Sequence, residues 1–268
     1  MENHLERLEN ESIYIIREAY KSFPKLGMLW SMGKDSTVML WLVRKAFMGR
    51  VPFPLIHIDT KFKIPEMIVY RDQMAKELNL DLKIFTNHTA LDSGMNPKDF
   101  SKLDCCNALK TNALKNSLEV FPRDGLLVAI RRDEEGSRAK ERFFSPRGIE
   151  HHWNRENQPP ELWDQYQVDY PHNTHVRVHP ILSWSEVNIW EYIKQEEIPV
   201  LDLYFSKNGK RYRSVGCAPC TSPIDSKAAS IDEIIAELKA TKTSERAGRA
   251  QDKADNYAME KLRAKGYM

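Results

Sequence analysis

The chain has 268 residues, of which 41% are hydrophobic and 29% are charged, a balance typical of a globular enzyme rather than a disordered or fibrous protein. Lys and Arg number 40 against 38 Asp and Glu, so the net charge of +2 excludes a chain whose bulk charge alone would bind nucleic acid. The charged N-terminal stretch does not resemble a signal peptide, and no apolar run is long enough for a transmembrane helix. We therefore expect a cytoplasmic protein without a membrane partner.

Short apolar segments alternate with helical segments along the first half of the chain. After an amphipathic N-terminal helix, LGMLW at 26–30 and FPLIHIDT at 53–60 have the length and composition of buried strands, and each precedes a segment with helical periodicity. Further strands are predicted at 81–87 and 125–132, with a helix between them. This alternation predicts an α/β fold with a doubly wound, mostly parallel sheet covered by helices on both faces.

The residue composition changes at about residue 140, where aromatic residues and prolines become frequent. A helix is predicted again at 184–198, opened by Ser185 as a cap, and the last forty residues are charged and helical. We therefore divide the chain into a nucleotide-binding core at 1–145 and an irregular, helical C-terminal extension at 146–268 that completes the active site.

The segment WSMGKDSTVML at 30–40 joins the first predicted strand to a helix. Ligands of parallel α/β sheets lie at the carboxyl ends of the strands, where a helix N-terminus offers amide donors to an anion. The residues that suit a phosphate are Ser31, Gly33, Lys34, Ser36 and Thr37. The segment lacks the Walker A pattern, and the alternative is a capped helix with a lysine on its rim.

The pattern Ser-Met-Gly-Lys-Asp-Ser at 31–36 resembles the S-G-G-x-D-S loop of the PP-loop ATP pyrophosphatases, with Met32 in place of the second-position glycine. Wider segments, among them PFPLIHIDTKFKIPEMIVYRDQM, RRDEEGSRAKERFFS, RVHPILSWSEVNIWEYI, IPVLDLYF and TSERAGR, resemble the small, catalytic subunit of bacterial sulfate adenylyltransferase, a relative of the phosphoadenosine-phosphosulfate reductases. The resemblance covers almost the whole chain. It implies an adenine nucleotide alpha hydrolase-like fold.

The resemblance also implies a reaction, in which ATP is cleaved between its α and β phosphates and the AMP unit passes to an oxyanion while pyrophosphate leaves. Departure of pyrophosphate requires charge neutralisation, which Mg²⁺ and the loop would supply. We accordingly assign Lys34 and Asp35 to catalysis. The residues assigned to ATP binding are Ser31, Gly33, Ser36, Thr37 and Asp59.

The run IRRDEEGSRAKER follows the predicted strand at 125–131 and brings several cations to the same edge of the sheet. We expect Arg131 and Arg132 to act in catalysis by holding the acceptor or the α-phosphate, and Arg138 and Arg142 to bind substrate. The alternative is a solvated helix start whose charges pair with one another.

Four cysteines form two pairs, Cys105–Cys106 and the C-x-x-C of Cys217 and Cys220, and together they are all the cysteines of the chain. They are compatible with buried small hydrophobes, a zinc site, a redox or sulfur-carrying dithiol, or a cluster. The arrangement resembles the [4Fe–4S] ligand set of adenylylsulfate reductases and of the ATP-pyrophosphatase component of DNA phosphorothioation systems. We therefore predict that the two pairs converge and hold such a cluster.

The cysteine pairs decide the predicted acceptor. Adenylyl transfer to sulfate is not a redox reaction, so an iron–sulfur cluster would have no role in it. We expect the chain to adenylylate the DNA backbone for phosphorothioate modification, with a cysteine desulfurase and other sulfur-modification proteins as partners. The alternative is the sulfate adenylyltransferase subunit, which makes adenylyl sulfate together with a GTPase partner. A third possibility is a non-catalytic nucleotide-sensing protein, and a homodimer is compatible with each.

Overall fold

A computed structural model of the protein describes residues 3–148, 153–154, 156, 158–171, 174–243, 245–248, 261–262 and 264–266. The α-helices are α1 (His4–Ser22), α2 (Lys34–Ala46), α3 (Pro65–Glu77), α4 (His88–Asp92), α5 (Lys102–Cys106), α6 (Ala113–Val120), α7 (Glu186–Gln195) and α8 (Ile231–Ala240). The strands are β1 (Leu26–Leu29), β2 (Leu55–Ile58), β3 (Leu82–Phe85), β4 (Gly125–Leu127), β5 (Phe144–Arg147), β6 (His175–Val178), β7 (Lys210–Arg211) and β8 (Ile224–Asp225). None of the helices in this part of the chain is long and apolar enough to cross a membrane.

Six strands form one sheet in the order β3-β2-β1-β4-β6-β5, in which only β5 runs antiparallel. Successive strand residues point to opposite faces of a sheet. Met28 accordingly packs into the larger core with α1, α2 and α7, whereas its neighbour Leu29 packs into the smaller core with α6. The predicted doubly wound, mostly parallel α/β fold is confirmed.

The sheet continues past the predicted boundary at residue 145. That boundary falls within β5, and β6 beyond it lies between β4 and β5. Strand β4 is also shorter than the predicted strand at 125–132, because its neighbours β1 and β6 end beside it and leave residues beyond 127 without ladder partners. A single sheet therefore spans both predicted segments.

Two helical predictions are refined by the structure. Ser185 does cap α7, since its side chain accepts a hydrogen bond from the Asn188 amide in a capping box. The helix predicted between the third and fourth strands is interrupted, because the π-helical segment Asn107–Asn112 separates α5 from α6. In the last forty residues, the described part includes α8 and a one-turn 3₁₀ helix, Glu245–Gly248. Part of the predicted charged tail, including 249–260, lies outside the described residues.

His57 joins β2 to the loop that follows β1. Its ring is 1% exposed, and Nδ1 donates a hydrogen bond to the Trp30 carbonyl oxygen at 3.0 Å. Burial, together with the nearby charges of Lys63 and Arg71, lowers the pKa of His57 to about 4. The ring is therefore neutral at pH 7 and holds the start of the loop by a neutral hydrogen bond.

We expect this histidine to make the fold sensitive to acid. Its folded pKa lies below the unfolded value of about 6.5, so the unfolded chain binds the extra proton first as the pH falls. The free energy of unfolding should therefore decrease between about pH 6.5 and pH 4, and His57→Gln should remove this component. Chemical denaturation of both proteins across that range measures it. His88→Gln, at an exposed position, should keep the slope of the parent, and an unchanged slope in His57→Gln would contradict the assignment.

Candidate active site

An open cleft lies at the carboxyl ends of β1, β2 and β4, where the sheet topology places ligands. Its walls include the loop after β1, the ends of β2 and β4, the π-helical segment, and the chain at 214–216. Of the residues predicted from sequence, those along its wall are Ser31, Gly33, Lys34, Asp35, Ser36 and Arg138. The structure therefore brings most of the predicted phosphate loop and one of the four predicted arginines to a common cleft.

The loop after β1 is held by its own hydroxyl groups. Ser31 Oγ lies 3.1 Å from Ser36 Oγ, and Ser36 Oγ donates to the Gly33 carbonyl oxygen at 3.0 Å. Met32 has a φ of 61°, in the left-handed region that favours glycine, while its side chain is buried in the larger core. Thr37, predicted to bind ATP, is 1% exposed in the first turn of α2 and lies away from the cleft wall. The predicted role of Thr37 thus lacks structural support.

Tyr204 closes one side of the loop, and sequence reasoning did not select it. Its hydroxyl accepts a hydrogen bond from the backbone amide of Lys34 at 2.8 Å, and the side chain is 1% exposed. One of the amides expected to face a phosphate is therefore bound by a side chain 170 positions away. The only sequence signal was its place in the segment IPVLDLYF, which does not identify the tyrosine as a contact of the loop.

Lys34 is a buried cation surrounded by carboxylates. Its side chain is 1% exposed, and Nζ lies 3.4 Å from Asp35, 3.7 Å from Glu186 and in close contact with Glu245. Burial by itself would lower the pKa of Lys34, but the charges of Asp35, Glu245 and Glu186 raise it well above its ordinary value. Lys34 therefore carries its positive charge at any working pH.

Arg131 is a second buried cation, directly behind the cleft wall. Its side chain is fully buried, and each of its three guanidinium nitrogens faces a different carboxylate. Nε donates to Asp133 at 2.9 Å, while the two terminal nitrogens contact Asp35 and Glu245. Glu245 thus contacts both Lys34 and Arg131. It lies in the segment TSERAGR, where the only signal was the family resemblance, and was not among the predicted site residues.

Further arginines connect this network to the surrounding chain. Glu186 accepts hydrogen bonds from Arg213 at 2.7 to 3.3 Å, which anchors it beside Lys34. Glu134 contacts Arg138 and lies 3.3 Å from Arg246, the residue after Glu245. Although burial would raise the pKa of Glu134, the charges of Arg138 and Arg246 help to hold it below its usual value. The cleft therefore has alternating charges along its wall, not an uncompensated patch of cations.

Arg132 and Arg142 do not join the cleft. The guanidinium of Arg132 lies 5.1 Å from the ring centre of Phe143, and the charges of both arginines act on Glu161. Glu161 in turn accepts hydrogen bonds from the Phe143 and Phe144 amides. The expectation that all four arginines converge is corrected, because residues adjacent in an extended segment project to opposite sides.

Asp59 is also engaged away from the cleft wall. Its carboxylate accepts hydrogen bonds from the Lys61 amide and ammonium groups, both at 2.8 Å. Burial opposes the charge, but these bonds lower the pKa of Asp59 below its ordinary value. Its predicted role in binding ribose or metal stays a prediction, since the described contacts account for both carboxylate oxygens.

The two cysteine pairs meet in the fold. Cys105 and Cys106 end α5, whereas Cys217 and Cys220 frame a short turn whose strand-like contact with Lys63 places it beside the loop after β2. Burial, with the neighbouring thiols of Cys106, Cys217 and Cys220, raises the pKa of Cys105 to about 11. All four cysteines are buried, and they form no disulfide bonds with one another. The two pairs are therefore near enough to influence each other electrostatically, and they lie next to segments that line the cleft.

The four cysteines are not arranged as a metal site in the described part of the chain. Across the described ranges, which include all four cysteines, no group of three or more His, Cys, Asp or Glu side chains is arranged to hold a metal ion. The predicted [4Fe–4S] site therefore does not fit the residues as the structure places them.

Comparison with known sequences identifies the family. The family model of the phosphoadenosine phosphosulfate reductase domain matches residues 25–223. Sulfate adenylyltransferase subunit 2 of Allorhizobium ampelinum is 41% identical, covering 100% of this chain and 94% of its own length. The protein of the same name from Trichlorobacter lovleyi is 42% identical, covering 98% of both chains, and that of Rhizobium meliloti is 40% identical. The chain thus matches full-length relatives from end to end.

Solved structures support the fold at much lower identity. Candida glabrata FMN adenylyltransferase in complex with ATP superposes with a TM-score of 0.58 at 16% identity, covering 98% of this chain and 87% of that one. Phosphoadenylyl-sulfate reductase from Candida auris superposes with a TM-score of 0.56 at 16% identity, covering 82% of this chain and 96% of that one. These structures show a shared adenine nucleotide alpha hydrolase-like fold.

The sequence relatives overturn the predicted DNA acceptor. That prediction depended on the cysteine pairs, yet proteins similar over their full length are named for sulfate adenylyl transfer. The cysteine desulfurase was expected as a partner only because of the DNA acceptor, so that prediction is also unsupported. An ATP-using adenylyltransferase is what remains. The chain belongs to the phosphoadenosine phosphosulfate reductase domain family, together with the sulfate adenylyltransferase subunit 2 proteins.

Proposed function

We propose that the chain is the catalytic subunit of a sulfate adenylyltransferase, which makes adenylyl sulfate and pyrophosphate from ATP and sulfate. The observation that carries the proposal is the pair of buried cations, Lys34 and Arg131, at the cleft of a chain with these relatives. An anionic leaving group is stabilised by fixed positive charge in a water-poor site. Pyrophosphate is such a group.

In this reaction a sulfate oxygen attacks the α-phosphorus of ATP, and the bond from that phosphorus to the oxygen bridging the α and β phosphates breaks. The electron pair goes to the departing pyrophosphate. Lys34 is the first residue of α2, so its charge and the helix N-terminus would act together on that oxygen. Arg138 lines the same cleft and would hold a phosphate or the sulfate.

Mg²⁺ fits the donor set of the cleft as a companion of ATP. Mg²⁺ in nucleotide sites is held by one or two carboxylates together with phosphate oxygens, so it needs no cage of protein ligands. The carboxylates of Asp35 and Glu134 both line the cleft. When bound there, Mg²⁺ would neutralise charge on the phosphates. The chain itself would contribute orientation through these carboxylates and through Lys34.

The name shared by the relatives, subunit 2, supports a second protein chain in the active assembly. We propose a GTPase as that second subunit, as the resemblance of the sequence implies. The decisive assay is release of pyrophosphate from ATP by the chain with its second subunit, with and without sulfate. Sulfate-dependent release together with formation of adenylyl sulfate is the expected result. Release at the same rate without sulfate would contradict the assigned acceptor.

Lys34→Met tests the role of the buried ammonium. The substitution keeps the apolar stem but removes the charge, and sulfate-dependent pyrophosphate release should fall by about a hundredfold or more. Lys45→Met is the matched control, because Lys45 lies in the last turn of the same helix and also pairs with two carboxylates, Glu9 and Glu196. It should retain parental activity. Equal activity of both variants would refute the assignment, and thermal unfolding of each checks that they fold.

Arg131→Lys tests the guanidinium. A lysine keeps the charge but cannot face three carboxylates in one plane, so the guanidinium contacts with Asp35, Asp133 and Glu245 could not all be kept. We expect the rate of adenylyl sulfate formation to fall by about tenfold or more. Arg132→Lys, one residue further and outside the cleft, should change this rate little. A larger loss in Arg132→Lys than in Arg131→Lys would show that the wrong arginine has been placed in the site.

A further inference from the structure

Glu245 holds a position that distinguishes it from the other carboxylates of the cleft. Its side chain is 8% exposed, one carboxylate oxygen contacts Lys34 Nζ, and the other contacts Arg131. It therefore bridges the two cations that the proposed reaction requires. It belongs to the one-turn helix Glu245–Gly248, which approaches the cleft from the C-terminal part of the chain.

The neighbouring carboxylates have anchors of their own. Glu186 is held by Arg213 as well as by Lys34, and Asp133 accepts a hydrogen bond from the Glu186 amide. Asp35 is fixed by its place in α2, directly after Lys34. By contrast, within the described chain the hydrogen bonds of the Glu245 carboxylate go to Lys34 and Arg131. Movement of Glu245 would therefore uncover both cations, while Asp35, Asp133 and Glu186 stay in place.

A phosphate group cannot share these two cations with Glu245. The Lys34 ammonium already has three carboxylates around it, and Arg131 has one on each nitrogen, so a phosphate reaches these cations only by displacing a carboxylate. Arg131 has a carboxylate on each of its nitrogens and lies behind the cleft wall, while Glu245 itself lines the cleft. Asp35 also lines the cleft, and removal of Glu245 would open the guanidinium nitrogen that Glu245 contacts. Phosphate and Glu245 must therefore alternate on Lys34 and Arg131.

We propose that Glu245 is an exchangeable anion of the reaction. It leaves Lys34 and Arg131 when the phosphates of ATP bind to them, and it then returns to both cations and displaces pyrophosphate. This inference rests on the proposed function, because it assigns pyrophosphate to that pair of cations. Glu245 is a positioning residue in this scheme. It weakens the binding of ATP and of pyrophosphate alike, and it accelerates release of the product.

The charge of Glu245 is available for this exchange at every working pH. Burial by itself would raise the pKa of Glu245, but the charges of Lys34 and Arg131 hold it well below its ordinary range. A protonated carboxyl group would compete poorly with a phosphate, whereas a carboxylate competes as an anion. Replacement of the carboxylate by a neutral group of the same shape is thus the direct test.

The experiment measures pyrophosphate binding to the full chain by calorimetry, in the parent and in Glu245→Gln. Glutamine retains the shape and one acceptor oxygen but lacks the charge, so the dissociation constant of pyrophosphate should fall by about ten- to a hundredfold. In turnover with the second subunit, KM for ATP and kcat should both fall, because binding tightens and product release slows. Glu237→Gln is the matched control, since Glu237 pairs with Arg211 and Ser226 away from the cleft, and it should bind as the parent does.

Weaker pyrophosphate binding in Glu245→Gln would overturn the inference, because Glu245 would then hold the phosphate complex together. Binding unchanged from the parent would overturn it as well. Glu245→Asp keeps the charge but shortens the reach between the two cations, so its affinity should lie between those of the parent and Glu245→Gln. If Glu245→Gln proves too unstable to measure, an aspartate variant that binds no tighter than the parent overturns the inference. Failure of the parent itself to bind pyrophosphate would instead refute the proposed function.

Discussion

The site depends on the need to keep two cations charged inside the protein. A buried, unpaired cation is costly enough that it would lose its proton or fold outward, unless carboxylates and hydrogen bonds compensate it. Lys34 and Arg131 are nearly or fully buried, and Asp35 and Glu245 contact both of them. Because this compensation comes from within the chain, both cations are charged without any bound phosphate. The same carboxylates set the free-energy cost that an incoming phosphate must overcome.

Several distant parts of the chain supply this compensation, and the parallel sheet explains how they meet. The end of β1 places Lys34 at the start of α2, and the chain after β4 brings Arg131 to the same edge. Helix α7 begins with Glu186, and the short C-terminal helix begins with Glu245. Helix starts and strand ends converge at one edge because parallel strands all point the same way. The C-terminal part of the chain is therefore a component of the cleft and not a separate attachment.

The cysteines show where inference from a local pattern failed. The order of strands and helices brings segments of both pairs towards the same edge of the sheet, but within the described residues the four thiols do not form a metal-binding group. Their spacing did not identify the acceptor, because a few side chains next to a cleft do not determine which oxyanion attacks the nucleotide. Similarity along the whole chain carried that information, and it favours sulfate. All four cysteines are buried, and burial raises the pKa of the Cys105 thiol to about 11.

The sequence by itself determined the alternation of strands and helices, the mostly parallel sheet, the capped start of α7 and the loop that leads into α2 at Lys34, because these are set by local periodicity and turn chemistry. Only the tertiary structure decided which charges meet. Arg131 turns inward while Arg132 packs on Phe143, although both belong to one run of arginines. Tyr204 and Glu245 reach the loop from 170 and 211 positions away. Contacts between residues so far apart depend on how complete elements pack, and no local pattern specifies them.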